Sequence, residues 1–155
     1  MPLQNHVVSR ELAEQMKGLG FPQNTEFYFQ KMTQSEWKLS HHSDFDGINK
    51  KGDVEVSGKE MCLDWANDGD DFIAAPLASE LVEWLSDSFI SEKYKNHVYL
   101  VIKKTRMGRK IGWYIGYENN KENLKSFAYI DFVHAVSKML IYLAQNGHLD
   151  PKTLN

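Results

Sequence analysis

A chain of 155 residues has room for one ordinary domain, and 42% apolar with 12% aromatic residues supplies a core for it, which excludes extended disorder. A net charge of -3 gives no global attraction to nucleic acid or to an anionic membrane, so contact with either must come from a local patch. One cysteine, Cys62, cannot form an internal disulfide, and neither a charged-then-apolar leader nor a run of about 18 apolar residues is present, so a cytoplasmic, non-membrane protein is expected.

Ser9 precedes a helical pattern of Val8, Leu12, Met16 and Leu19, with Glu11 and Glu14 near its positive end and Gly18 and Gly20 as stops. The turn Phe21–Asn24 leads into an aromatic strand, Thr25–Met32. A second strand, Glu36–His41, pairs with it through residues 33–35 as a hairpin. From Ser43 to Asp71 glycines interrupt each short apolar group. The expected strands there are Val54–Val56 and Met61–Trp65 within an irregular connection. Nine acidic residues stand against three lysines in that stretch, so an anion is not what it faces.

Phe72–Ala75 reads as a short strand and Leu77, Leu81, Trp84 and Leu85 as one helical face, with Pro76 marking the change of backbone between them. A loop is expected from Asp87–Ser88. His97–Lys103 is the clearest strand, and its partner is Lys110–Tyr117, in which Ile111, Trp113, Ile115 and Tyr117 share one face and Gly112, Tyr114 and Gly116 the other. Gly108 suits the turn between them. The last helix is predicted over about 127–146, with Phe132, Val136, Met139, Leu140 and Leu143 as its apolar stripe. Asn146–Gly147 is its stop, and residues 150–155 form a tail expected to fray. Helices at both ends with hairpins between them predict a single α+β domain, a mainly antiparallel sheet with about three helices packed on one face.

The strongest charge feature is Lys103, Lys104, Arg106, Arg109 and Lys110, with Trp113 and Tyr114 just beyond. Cations beside aromatics suit phosphate contact and base stacking, and equally keep an exposed hairpin soluble. Asp44-Phe-Asp46-Gly47-Ile-Asn49 places carboxylates at alternate positions as in a calcium loop, but the spacing fails: Gly47 falls at position four rather than six, Glu55 reaches position twelve only by count, and no flanking helices are expected. Asp68–Asp71 reads as a solvated turn. His41 and His42 are adjacent, so in a strand they point to opposite faces and cannot share a metal without a bend. Cys62, between Met61 and Leu63, reads as a small buried apolar residue rather than a nucleophile, and His134 as a surface histidine. Tyr28 and Trp37 are the aromatics left as a candidate protein interface. No catalytic, cofactor-binding or metal residue is assigned.

Three segments carry a resemblance: Glu11–Gln23 with the aromatic strand Phe27–Phe29, then Ile73–Leu85, and Ala135–Gly147. In order and spacing the chain resembles a family of small uncharacterised bacterial proteins associated with phages and prophages. Leu77 departs from that family's pattern, standing where threonine would complete a capping box with Glu80, so Ser79 competes as the helix cap. The matched segments are helices, helix stops and core strands, so the resemblance implies a scaffold rather than a chemistry. The expected function is therefore that of a non-catalytic accessory protein acting by protein binding or self-association. Nucleic-acid binding through 103–110 and an unrecognised enzyme are the alternatives.

Overall fold

Ser9 and Gly20 bracket the first helix, α1 (Arg10–Gly18), in the computed structural model, which describes residues 6–46, 50–51, 54–55, 57–90 and 95–155. The fold is a single α+β domain with antiparallel sheets. It is made of two compact units, Met1–Leu77 with Pro151–Asn155, and Ala78–Asp150. Gly20 takes φ +87°, the Gly20 N–H bonds to Lys17 O and the Phe21 N–H to Met16 O, so α1 ends in a Schellman motif with Met16 and Phe21 both buried.

In the first unit β1 (Phe27–Lys31) pairs antiparallel with β2 (Trp37–His41) and, on its other edge, with β5 (Phe72–Ala74). The expected hairpin is present. Lys50–Lys51 (β3) and Val54–Glu55 (β4) pair with each other, while Val56 lies outside the described residues. The expected strand at Met61–Trp65 is instead the middle of helix α2 (Gly58–Asp68). Its start is set by a capping box, Ser57 Oγ accepting from the Glu60 N–H at 3.3 Å and Glu60 Oε2 from the Ser57 N–H at 3.2 Å. Met61, Cys62, Trp65 and Ala66 then recur at helical spacing and pack with Tyr28, Phe45, Phe72 and Ala74. Successive strand residues face opposite sides, so Phe72 and Ala74 meet α2 while Ile73 turns toward the α1 side, beside Lys17 and Gly18. The two helices thus cover opposite faces of this sheet, and α2 brings the number of α-helices described to four.

At the junction, Pro76 does not open the helix. Its carbonyl accepts from the Val8 N–H at 3.1 Å and Leu77 forms a β-bridge with Val7, so helix α3 (Ala78–Glu83) starts two residues later. Leu81, Trp84 and Leu85 are buried as their spacing predicts.

The second unit is the sheet β6-β7-β8-β9, formed by Ser88–Ile90, His97–Met107, Lys110–Glu118 and Asn123–Tyr129. Two of these strands correct the sequence reading. Ser88–Ile90, expected as loop, pairs with His97–Tyr99, and Phe127–Tyr129, expected as helix, ends β9. Helix α4 (Phe132–Gln145) begins only after Asp131, whose Oδ1 accepts the His134 N–H at 2.7 Å. It packs on β8 and β9 and against α3, burying Val136, Met139, Leu140 and Leu143. Gly147, at φ +73°, follows its C-cap. Past that stop the expected frayed tail instead makes a 3-10 turn, Pro151–Thr153, with Pro151 buried and counted in the first unit.

Candidate functional site

The cations of the β7–β8 hairpin are divided between two faces. The register Met107↔Lys110 closes a two-residue turn, Gly108–Arg109, with φ +62° at Gly108. Pairs Lys104↔Trp113 and Arg106↔Ile111 then share the face of Ile102 and Ile115, while Lys103 shares the opposite face with Tyr114. The aromatics are already engaged. Trp113 lies 4.8 Å from the Phe132 ring with Lys104 Nζ 5.5 Å from its centroid. Tyr114 lies over Gly116, under Lys103 Nζ at 4.6 Å, and its hydroxyl donates to Glu118 Oε2 at 2.5 Å. Burial and the Glu118 hydrogen bond raise the Tyr114 pKa. Left open on the first face are Ile111, 69% exposed, and Ile102, 36% exposed, alternating with Lys104 and Arg106. β6 pairs only with His97–Tyr99, so among the described residues no strand pairs with the outer edge of β7 from Val101 to Met107.

Tyr28, offered as an interface candidate, presents no surface. It is wholly buried, and its hydroxyl donates to Gln23 O at 2.9 Å. Trp37 is half-buried and lines a cleft of about 480 Å³ with Glu14, Lys17, Lys31, Asp70 and Ile73. The cations around that cleft hold the chain together. Lys17 donates to the carbonyls of Gly69 and Phe72, and its pKa is lowered by burial. Lys31 lies 3.8 Å from Asp71, and Arg10, 5.6 Å from the Trp37 ring, pairs with Glu14 at 2.7 Å.

Asp44 and Asp46 serve nearby backbone. Asp44 Oδ2 accepts the His41 N–H at 3.1 Å and Asp46 Oδ1 the Gly58 N–H at 2.7 Å, while Gly47 and Asn49 lie outside the described residues. Cys62 is buried on the inner face of α2, and desolvation, with Asp44 and Asp46 adding to it, pushes its thiol up to about 11, which removes it as a neutral-pH thiolate. His134 is half-buried against Tyr129, at 4.4 Å between rings. Burial and then Lys138 lower its pKa.

The histidine pair is where sequence reasoning fell short. β2 ends at His41 and a 3-10 turn begins at His42, which supplies the bend that adjacent histidines need to face one way. Their rings stand 4.3 Å apart, and both Nε2 atoms point at Glu26 Oε2, His42 at 3.0 Å and His41 at 3.3 Å. Lys59, from the first turn of α2, donates to the other oxygen, Glu26 Oε1, at 3.0 Å. That hydrogen bond, with His42 next, holds the Glu26 carboxyl below its ordinary pKa. Ser43 Oγ sits 2.7 Å from His41 Nδ1, which also accepts the Ser43 N–H at 3.2 Å, and His42 Nδ1 is buried with no hydrogen-bond partner among the described residues. Backbone contacts fix the cluster: the His42 N–H bonds to Glu26 O at 3.0 Å, and Gly58 packs directly on the His42 carbonyl. No side-chain motif announced it; the signal is the end of a strand between two histidines.

Compared with known proteins, the chain matches no family model, no curated protein and no solved structure. No helix among the described residues is long and apolar enough to cross a membrane.

Proposed function

We propose that this chain is a non-catalytic binding protein, of the accessory kind its phage and prophage resemblance implies, and that a protein partner docks on the β7–β8 hairpin. The observation that carries the reading is the part of the hairpin's first face that extends past Ile115 and Trp113, where Ile111, opposite Arg106, and Ile102, beside Lys104, stand exposed. Apolar anchors ringed by charge are the usual composition of a recognition patch. The outer edge of β7 adds backbone donors and acceptors that an extended segment can pair with. Cations along that edge repel a second copy of the same edge, so the fitting partner is a different chain, acidic and apolar by turns. The cytoplasm is the compartment this reading takes, since a lone cysteine forms no internal disulfide.

Nucleic acid is the second reading. Five cations within 103–110 favour it, and the engagement of Trp113 and Tyr114 by their own neighbours weighs against base stacking. A photo-crosslinking residue placed at 111 in the native host, with one at the exposed position 11 as control, separates the readings. The expected result is one reproducible protein adduct at 111 and none at 11. A nucleic-acid adduct, lost when Arg106, Arg109 and Lys110 are replaced by alanine, would transfer the function to the second reading. An empty position 111 would sink both.

A further inference from the structure

We propose that Glu26, His41 and His42 form a binding site for a divalent transition-metal ion, with zinc the best match. Two imidazoles and one carboxylate are a ligand set that zinc accepts, and each offers one atom here, all three within 4.8 Å of one another. Ligands about 2.0–2.1 Å from a tetrahedral ion stand about 3.3 Å apart. The Glu26 Oε2 separations of 3.3 Å to His41 Nε2 and 3.0 Å to His42 Nε2 already approximate those edges. Small ring rotations then admit the ion.

Three features make this more than a salt-bridged cluster. The ligands sit on tied backbone: Glu26 and His42 share a backbone hydrogen bond of 3.0 Å, and Asp44 Oδ2 holds the His41 N–H. His41 Nδ1 accepts the Ser43 N–H at 3.2 Å and lies 2.7 Å from Ser43 Oγ, contacts that orient the ring; binding an ion at Nε2 would trade the backbone bond for a proton shared between Nδ1 and Ser43 Oγ. Lys59 occupies Oε1, so the ion would take Oε2 and share the carboxylate's charge with a competing cation. All three ligand side chains are partly exposed, so an ion reaches them from solvent. Three protein ligands leave the fourth position to water. The buried His42 Nδ1, which would carry a proton without an acceptor among the described residues, makes binding weaker than at a four-ligand structural zinc site.

The test is titration of the tag-free, full-length chain with Zn²⁺ in competition with a chromophoric chelator, alongside Co²⁺ absorption spectra. One equivalent is expected to bind, with visible Co²⁺ bands that Zn²⁺ abolishes. His41→Ala with His42→Ala should weaken binding by at least about 100-fold and Ser43→Ala by about tenfold, the cost of losing an outer hydrogen bond. Lys59→Ala, which removes a competing cation from Glu26, should tighten it. His97→Ala should change nothing. Circular dichroism of each variant separates a lost ligand from a lost fold, and the Lys59→Ala gain cannot arise from misfolding. Absence of one-to-one binding below millimolar Zn²⁺, or equal binding by the double histidine variant, overturns the proposal.

Discussion

Gly58→Ala tests how tightly the 3-10 turn carrying His42 is seated on α2. A β-carbon at position 58 would fall well inside contact distance of the His42 carbonyl oxygen, 2.7 Å from Asp46 Oδ1 and 3.0 Å from the Asp46 amide nitrogen. Two of the three are backbone atoms, so no side-chain rotation relieves the clash and either the turn or the helix must move. Replacing glycine in a helix by alanine is ordinarily worth about 0.5–1 kcal/mol in favour of folding, whereas overpacking costs about 1–3 kcal/mol, so a net loss of about 1–2 kcal/mol is expected. For a chain of this size that lowers Tm by roughly 2–8 °C. Gly18→Ala is the matched control. That glycine also lies in a helix, but nothing stands within 4 Å of the β-carbon it would gain, so the propensity gain should appear alone as a rise of about 1–4 °C. Thermal and urea unfolding followed by circular dichroism measures both. If the two substitutions shift stability in the same upward direction, the packing of the turn on Gly58 is wrong.

Other expectations follow from the same geometry. Gly112→Ala should destabilise more than Gly116→Ala in urea unfolding. The first meets the Tyr129 carbonyl at 2.6 Å as well as Met107 Sδ, whereas the second meets only the movable Tyr114 ring; a reversed order would refute the assignment. Cys62, buried and with its pKa at about 11, should react with a thiol reagent at pH 8 about 100-fold more slowly in the native protein than in urea, and comparable rates would show it accessible. His134 has a folded-state pKa below its unfolded value, so the unfolded chain binds the extra proton. Stability should therefore fall as pH drops through about 6.5 toward the folded pKa, and His134→Gln should flatten that part of the curve measured between pH 5.5 and 7.5.

Where hydrophobic period and end signals agree, the sequence was legible. Leu12 and Met16 before Gly20, the Phe27–Lys31 hairpin, the β7–β8 pairing through Gly108 and the α4 stripe all follow from it. The strand expected at Met61–Trp65 failed because four apolar residues in five fit either period. What decides it is Ser57 with Glu60, a capping box upstream of the ambiguous stretch. Phe127 fitted the helical stripe as well as β9, and the Asp131 cap separates the two. For the candidate sites, charge at 103–110 was readable but its division between faces depends on register. Tyr28 looked as available as Trp37 until β5 and α2 closed over it. Glu26 lies in a short lead-in to β1, and its meeting with His41 and His42 comes from strand pairing and the turn after β2, which no local spacing encodes.

The grouping of Pro151–Asn155 with Met1–Leu77 has a consequence for how the protein is made. The first unit is assembled from two pieces of chain that the ribosome delivers far apart in time, whereas the second is a single uninterrupted piece. The first unit therefore gains its closing 3-10 turn, with Pro151 buried, only after every residue of the second has been made.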